Sequence, residues 1–279
     1  MVSMKIAVFS DVQGNLPAME VAVEHIRAWG PDLVIMNGDL VNRGPSSAEC
    51  LDLFQALRRS AGWLPVRGNH EDYVLHCGEH PPHSALDAAM RQFADWTLAR
   101  LGARTRWLCD WPDHLCIQGP DNDWIHVTHG TLLGNRDGIS ASVPDRALAA
   151  RVPEQADLFV VGHTHKPLER RFRSTRIVNA GSVGSPFDGD VRASYAQIEF
   201  RDHRWYTHIV RLDYDRARTE WDFRKSGFLE QGGPLAGFIF EEWRRAALLM
   251  PQLRQRYLQP LVRGDVALDE AVRKFLSDL

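Results

Sequence analysis

Five short apolar runs in this chain each end in residue types of the kind that ligate metal ions. The runs cover residues 5–9, 32–36, 63–66, 124–128 and 157–161. They lead into Asp11-Val12-Gln13, Gly38-Asp39, Gly68-Asn69-His70, His129-Gly130 and Gly162-His163-Thr164-His165. Short β-rich apolar runs of this kind read as strands. In an open sheet, ligands bind beyond the carboxyl ends of strands. If the five strands share direction, their polar ends converge on one edge. Such convergence is a strong restriction on how the chain can fold.

The segments between the runs say how the strands connect. Pro17 opens a helix to about Trp29, with Pro31 beyond it as a stop. Ser46 or Ser47 caps a second helix to about Arg59. Strand–helix–strand alternation over the first 75 residues predicts parallel strands with helical crossovers. Residues 76–83, His-Cys-Gly-Glu-His-Pro-Pro-His, read as a surface loop; three histidines and a cysteine would suit zinc, but the double proline and irregular spacing argue against it. Residues 84–101 carry Leu86, Met90, Phe93 and Leu98 near helical spacing and read as an amphipathic helix.

From His114 the pattern changes. Strands at 114–118 and 124–128 flank a hairpin turn in which Asp121 and Asp123 read as turn formers. Short strands follow at 168–172, 176–179, 194–200 and 205–212, making the second half mostly antiparallel. The predicted fold class is α/β: two packed mixed β-sheets flanked by helices over residues 1–212. A helical extension, 213–279, packs on the same domain, with Phe238, Trp243, Ala246 and Leu249 near helical spacing and a last helix from about Val266. Nothing in it resembles a catalytic set; a dimer contact or an active-site cap would suit it.

Composition narrows the function classes. The 33 basic and 36 acidic residues give a net charge of -3, so there is no electrostatic case for nucleic acid or an acidic membrane as main partner. The four cysteines, at 50, 77, 109 and 116, form no C-x-x-C pair and read as reduced thiols of a cytoplasmic protein. The first apolar run is too short for a cleavable signal, and no stretch approaches ~18 apolar residues. The oligomeric state stays open.

The strand ends together offer Asp11, Asp39, Asn69, His129, His163 and His165, with Gln13 and His70 in addition. One octahedral ion needs fewer ligands; two ions bridged by a carboxylate would use them all. Asp39 is the natural bridge, a lone carboxylate on its own loop.

This set of loops resembles the calcineurin-like metallophosphoesterase superfamily, from about Met4 to Leu212. The resemblance rests on Asp11-Val12-Gln13-Gly14-Asn15, Gly38-Asp39, Gly68-Asn69-His70-Glu71, His129-Gly130 and Gly162-His163-Thr164-His165; Asn179 to Pro186 looks like a bacterial branch. It implies an αββα sandwich and a dimetal phosphoesterase centre. Carried over, the first metal site would be Asp11, the position of Gln13, Asp39 and His165; the second would be Asp39, Asn69, His129 and His163. His70 would stand near the leaving oxygen. A metal-bridging hydroxide would be the nucleophile, with about +1 of net charge left on the centre to draw in a phosphate.

Two positions depart from the family. Gln13 stands where it has histidine, and amide oxygen is the harder donor, so the first site tilts toward manganese or magnesium. Gln13 could equally make only outer hydrogen bonds. Asn42 stands where related phosphatases have an aspartate that orients the catalytic histidine, and it can still accept from His70 Nδ1–H. Arg43 matches the same loop and could clamp a phosphate oxygen. Arg43 and Arg67 look phosphatase-like, the His-Thr-His loop more phosphodiesterase-like. The expectation is a phosphoesterase acting on a small phosphodiester or phosphomonoester with two divalent ions: manganese first, with iron, zinc or magnesium as alternatives. The competing reading is a metal- or nucleotide-binding regulator whose turnover is lost through Gln13.

Overall fold

The computed structural model describes residues 3–279. Strand β1 (Met4–Phe9) leads through Asn15 into α1 (Leu16–Trp29). Asn15 caps that helix by accepting from Ala18 N at 3.3 Å, and left-handed Gly30 closes it. Then come β2 (Leu33–Asn37), α2 (Ser47–Ala61), β3 (Leu64–Val66), α3 (Asn69–Glu79) and α4 (Ala85–Leu101). A single 3-10 turn and α5 (Arg106–Cys109) precede the hairpin of β4 (His114–Gln118) and β5 (Trp124–Thr128). The chain continues with α6 (Asp145–Leu148), β6 (Leu158–Val161), β7 (Leu168–Phe172), β8 (Thr175–Asn179), β9 (Ala193–Arg201) and β10 (Arg204–Leu212). It ends in α7 (Arg216–Lys225), α8 (Phe228–Gln231), α9 (Pro234–Arg245), α10 (Met250–Arg263) and α11 (Leu268–Ser277).

The strands form two five-stranded sheets, ordered β10-β9-β1-β2-β3 and β4-β5-β6-β8-β7. As expected, β1, β2 and β3 run parallel. The second half is less antiparallel than its short strands suggested: β5, β6 and β8 are parallel neighbours, and β4 and β7 run antiparallel along the two edges. A long excursion after Thr128 carries the chain back to start β6 beside β5, and the edge strand β7 runs back antiparallel so that β8 can lie parallel to β6. The five strand ends of interest therefore point one way.

Alternation along each strand builds four layers. Ile6 and Val8 face Leu158, Val160 and Val178 between the sheets. Ala7 and Phe9 face the opposite way, into a larger core with Met19, Phe54 and Phe93. Phe159, Val161 and Ile177 cover the outer face of the second sheet. Phe228, Phe238, Trp243 and Phe275 of the C-terminal helices lie in that same larger core. Asp121 and Asp123, expected only to form a turn, also tie the sheets together. Asp121 pairs with His203 at 2.6 Å, and Asp123 accepts from Trp205 Nε1 at 2.7 Å.

Two local expectations fail. The stretch 76–83 is not all loop: α3 runs on through His76, Cys77, Gly78 and Glu79. Cys77 is buried, and Arg91 of α4 grips the carbonyls of Cys77 and His80, so tertiary packing overrides a weak local preference. The expected helix through Leu249 instead breaks at Ala246, which is left-handed at φ 49°. Glu242 accepts from Leu249 N at 2.7 Å and Met250 N at 3.0 Å, supplying the break with its hydrogen bonds. No described helix is long and apolar enough to cross a membrane.

Candidate metal centre

The loops after β1 and β2 run side by side: Asp11 N donates to Gly38 O at 3.0 Å and Gln13 N to Asp39 O at 2.9 Å. Glu71 locks the second of these loops to α3. Its buried carboxylate accepts from Asp39 N and Gly68 N, both at 2.8 Å, and from Leu40 N at 2.7 Å and Val41 N at 3.2 Å. Burial and the Asp39 charge push its pKa up to about 7, against the pull of these backbone donors. Sequence reasoning gave Glu71 no role. Its spacing from the helix-opening Gly68 is that of a capping glutamate, and this was the available signal.

The second sheet adds its own strand ends. His129 Nδ1 faces Asn37 O at 2.8 Å, and Asn37 Nδ2 donates to Thr128 O at 2.9 Å, stitching β2 to β5. Gly38 leaves the room for this approach, since a Cβ there would lie 2.5 Å from the His129 ring. His165 Nδ1 faces Ser185 O at 2.5 Å, and its ring stacks on Phe187 with centroids 4.2 Å apart. In both histidines a carbonyl accepts the Nδ1 proton and Nε2 is left for a metal, the usual outer support of such ligands.

Two groups of ligand atoms result: Asp11, Asp39 and His165, and Asp39, His129 and His163; within each, the atoms lie within 4.8 Å of one another. Asp39 is common to both. Asn69 Oδ1 joins the second, 3.1 Å from His129 Nε2 and 2.7 Å from His163 Nδ1. Asp11 Oδ1 and Asp39 Oδ2 are buried and make no well-formed hydrogen bond; their nearest neighbours are imidazole nitrogens, His165 Nε2 at 3.1 Å from the first and His129 Nε2 at 3.2 Å from the second. Buried carboxylate oxygens are expensive without a partner. Two divalent cations would supply it, so the residues fit the ions the sequence implied. Oxygen and nitrogen make up the whole donor set.

The electrostatics agree. Burial would raise Asp39, but His129 and His70 hold it far below the usual carboxylate range. Burial lowers His129, yet Asp39 and Asp11 more than reverse this and carry it to about 10. His163 is lowered by burial and by the neighbouring His129. Burial, together with Arg43, His165 and His129, outweighs Asp39 and takes His70 down to about 3.

Among the described residues, twelve non-glycine residues have positive φ; seven of them are Asp11, Gln13, Asp39, Asn42, Arg43, His163 and His165. Strain of this kind persists where surrounding structure enforces it, and it clusters at functional sites.

The remaining candidates surround the centre. His70 N donates to Asp39 Oδ1 at 2.8 Å, and its ring Nε2 lies 4.0 Å from Asp39 Oδ2. Asn42 Nδ2 faces His70 Nδ1 at 3.0 Å, while Asn42 Oδ1 faces Thr97 Oγ1 at 3.2 Å. In this orientation Asn42 donates to His70, the reverse of the direction expected, and the imidazole proton sits on Nε2. Gln13 Oε1 accepts from Arg43 Nε at 3.0 Å, and Gln13 Nε2 lies 3.2 Å from His165 Nε2. Arg67 stands apart, paired with Asp72 at 2.9 Å and Asp113 at 3.1 Å.

A cleft opens over the centre in two lobes. One, of about 500 Å³, runs past Arg43, His165, Lys166, Phe187 and Leu248. The other, of about 390 Å³, runs past Tyr73, Phe93, Arg136, Leu235 and Arg254. His70, His163 and Met250 line both. The C-terminal extension thus forms part of the cleft wall, through Leu235, Leu248, Met250 and Arg254.

Comparison with known proteins gives a consistent picture. Residues 4–167 match the family model for calcineurin-like phosphoesterases. A solved metallophosphoesterase from Sphaerobacter thermophilus is 28% identical and superposes with a TM-score of 0.68, covering 88% of this chain and all of that one. Protein MJ0912 of Methanocaldococcus jannaschii is 26% identical over 233 residues, 77% of this chain and 90% of its own. The phosphodiesterase YfcE of Escherichia coli K12 is 26% identical over 196 residues, 70% of this chain and 88% of its own.

Proposed function

The chain belongs to the calcineurin-like phosphoesterase family, and we propose that it hydrolyses a small phosphodiester with two divalent metal ions. The observation that carries this reading is the convergence of two buried carboxylates with imidazoles on two ligand groups that share Asp39, with Asp11 Oδ1 and Asp39 Oδ2 lacking a well-formed hydrogen bond. Asp11, Asp39 and His165 would hold one ion; Asp39, Asn69, His129 and His163 would hold the other. Bound there, the ions would supply Lewis-acid charge at phosphorus and activate water as the nucleophile. Manganese suits the thiol-free donor set best.

The chain's own residues do the rest. His129 and His165, each with Nδ1 on a carbonyl, keep their rings in register. His70 directs Nε2–H at the phosphate oxygens or the leaving oxygen, as a neutral donor held by Asn42. Arg43 borders the cleft and donates to a phosphate oxygen. A diester brings two substituents, and the two lobes flanking Met250 offer each a place. That YfcE is a phosphodiesterase supports the same choice.

A second reading, a metal- or nucleotide-binding regulator, draws on Gln13, whose amide oxygen is engaged by Arg43. One experiment separates the two. The protein is stripped by chelation, reloaded with manganese, magnesium, zinc or iron, and assayed on bis-p-nitrophenyl phosphate and p-nitrophenyl phosphate. Metal-dependent turnover with the diester preferred is expected. Full activity after verified metal removal would sink the metal mechanism, and a preference for the monoester would sink the diester assignment. Two bound metals without turnover on either ester would favour the regulator.

A further inference from the structure

Arg43 is held by a residue from the far end of the chain. Glu242 of α9 has a fully buried side chain, and its Oε2 lies 2.5 Å from Arg43 Nη2. Its Oε1 accepts from Leu249 N and Met250 N, at the joint between α9 and α10. On the other side, Arg43 Nε donates to Gln13 Oε1 at 3.0 Å. The guanidinium is thus tethered along two of its edges. Nη1 has no partner among the described protein groups, and Arg43 borders the cleft.

We propose that Glu242 is the positioning residue for Arg43, so that the C-terminal extension completes the substrate site. This rests on the phosphoesterase reading. Three physical points carry it. A carboxylate with no exposure must be paired, and Arg43 is its ionic partner. The pair also lowers the net charge that Arg43 offers a phosphate, so what Glu242 contributes is geometry: a planar fork fixed before substrate arrives. Finally, the same carboxylate closes the α9–α10 joint, which brings Leu248 and Met250 to the cleft wall. Gln13 is the second tether. Its amide presents oxygen to Arg43 and Nε2 to His165, and an amide nitrogen does not ligate a metal in that state.

The test is a double-mutant cycle in the full-length, metal-loaded protein: Glu242→Gln, Arg43→Ala and both together. Glu242→Gln keeps the size of the side chain and can keep the bonds to Leu249 N and Met250 N. It is expected to raise KM for bis-p-nitrophenyl phosphate on the order of 5- to 10-fold, with a much smaller change in kcat and both metals retained by plasma emission. In the Arg43→Ala background the same change should add almost nothing. A purely structural Glu242 would lower kcat/KM by the same factor in both backgrounds, and that outcome overturns the proposal. The shift in melting temperature on adding inorganic phosphate follows the same cycle without turnover. If the wild-type protein hydrolyses neither ester, the functional reading fails, while the phosphate shift still decides the coupling. Should Glu242→Gln not fold, Gln13→Ala cuts the other tether. It should raise KM with two metals kept; loss of one metal would make Gln13 a ligand and overturn its part here.

Discussion

The contact between residues 182–185 and the Asp11 loop offers a severe test of the site's construction. Val183 N donates to Ser10 O and Gly184 N to Asp11 O, both at 3.0 Å. Ser182 Oγ donates to Asp11 O at 2.8 Å, and Asn15 Nδ2 donates to Gly184 O at 2.9 Å. A Cβ on Gly184 would lie 1.8 Å from Val12 O and 2.9 Å from Asn15 Cβ. An ordinary carbon–oxygen contact is about 3.3 Å or more, so in Gly184→Ala one strand of chain must retreat by over an ångström. That retreat breaks or lengthens two or three buried hydrogen bonds, each worth about 0.5–1.5 kcal/mol, for a total of roughly 1–4.5 kcal/mol.

The displacement also has an address. Asp11 sits on one side of the contact, and Ser185, whose carbonyl holds His165 Nδ1, sits on the other. Asp11 and the His165 that Ser185 supports belong to the first ligand group; no member of the second hydrogen-bonds to residues 182–185. Disturbing the outer support of a ligand typically costs about 10–100-fold in metal affinity. Gly184→Ala should therefore lose stability in urea or on heating and bind one ion normally and the other weakly, as calorimetric titration would show. Gly237→Ala is the control of opposite sign. It lies inside α9 with only Leu276 Cδ1 at 4.0 Å, and should gain about 0.5–1 kcal/mol. A Gly184→Ala protein of wild-type stability with two equal metal affinities would refute the reasoning.

Two further predictions concern protons. In the metal-free protein His129 carries a charge up to about pH 10, so a proton must leave before its Nε2 can take a metal. Metal uptake at pH 7–8 should release about one proton from this group and strengthen as pH rises, read by calorimetry in buffers of different ionisation heat. The sign for stability is opposite: with its folded pKa raised, His129 stabilises the metal-free fold fully below about pH 6.5 and progressively less toward pH 10. Metal uptake without proton release would refute the charged state. His70→Ala should keep both metals and lose roughly 10²–10³-fold in kcat/KM on an alkyl ester, with a smaller loss on a nitrophenyl ester, whose leaving oxygen gathers less charge for a neutral Nε2–H donor to stabilise. Equal losses on the two would place His70 on the phosphate, away from the leaving oxygen.

What the sequence disclosed, and what it did not, follows from range. Each candidate ligand sits within a few residues of an apolar run, so its strand and its place at the strand end are local facts. Five such facts sufficed for two sheets and one shared edge. The ends of α1 were equally local, written in Pro17 and Pro31. The outer support of the ligands is not local. Ser185 reaches His165 across 20 residues, and Asn37 reaches His129 across 92. A backbone carbonyl carries no residue-type signal at all. The helical course of His76 to Glu79 was hidden for a related reason, since it depends on Arg91 at one remove in the fold.

Glu242 is the limiting case. It lies 199 residues from Arg43, in a helix whose polar positions otherwise read as a solvated face. Its neighbour Glu241 is such a residue, bonded to Arg244 and Arg245 at the surface. One position along, the side chain turns inward and is fully buried. Helical periodicity does mark position 242 as facing the same way as Phe238, four residues earlier, and a carboxylate on an apolar face is an anomaly. Such an anomaly requires a cation or several N–H donors to meet it in the interior. The chain supplies both: the guanidinium from the Arg43 loop, and the two amides from the broken joint before α10. The break at Ala246 and the burial of Glu242 are therefore one feature, because a continuous helix would leave Leu249 N bonded within itself and one carboxylate oxygen bare. Ordering the cleft wall and fixing Arg43 follow from the same arrangement.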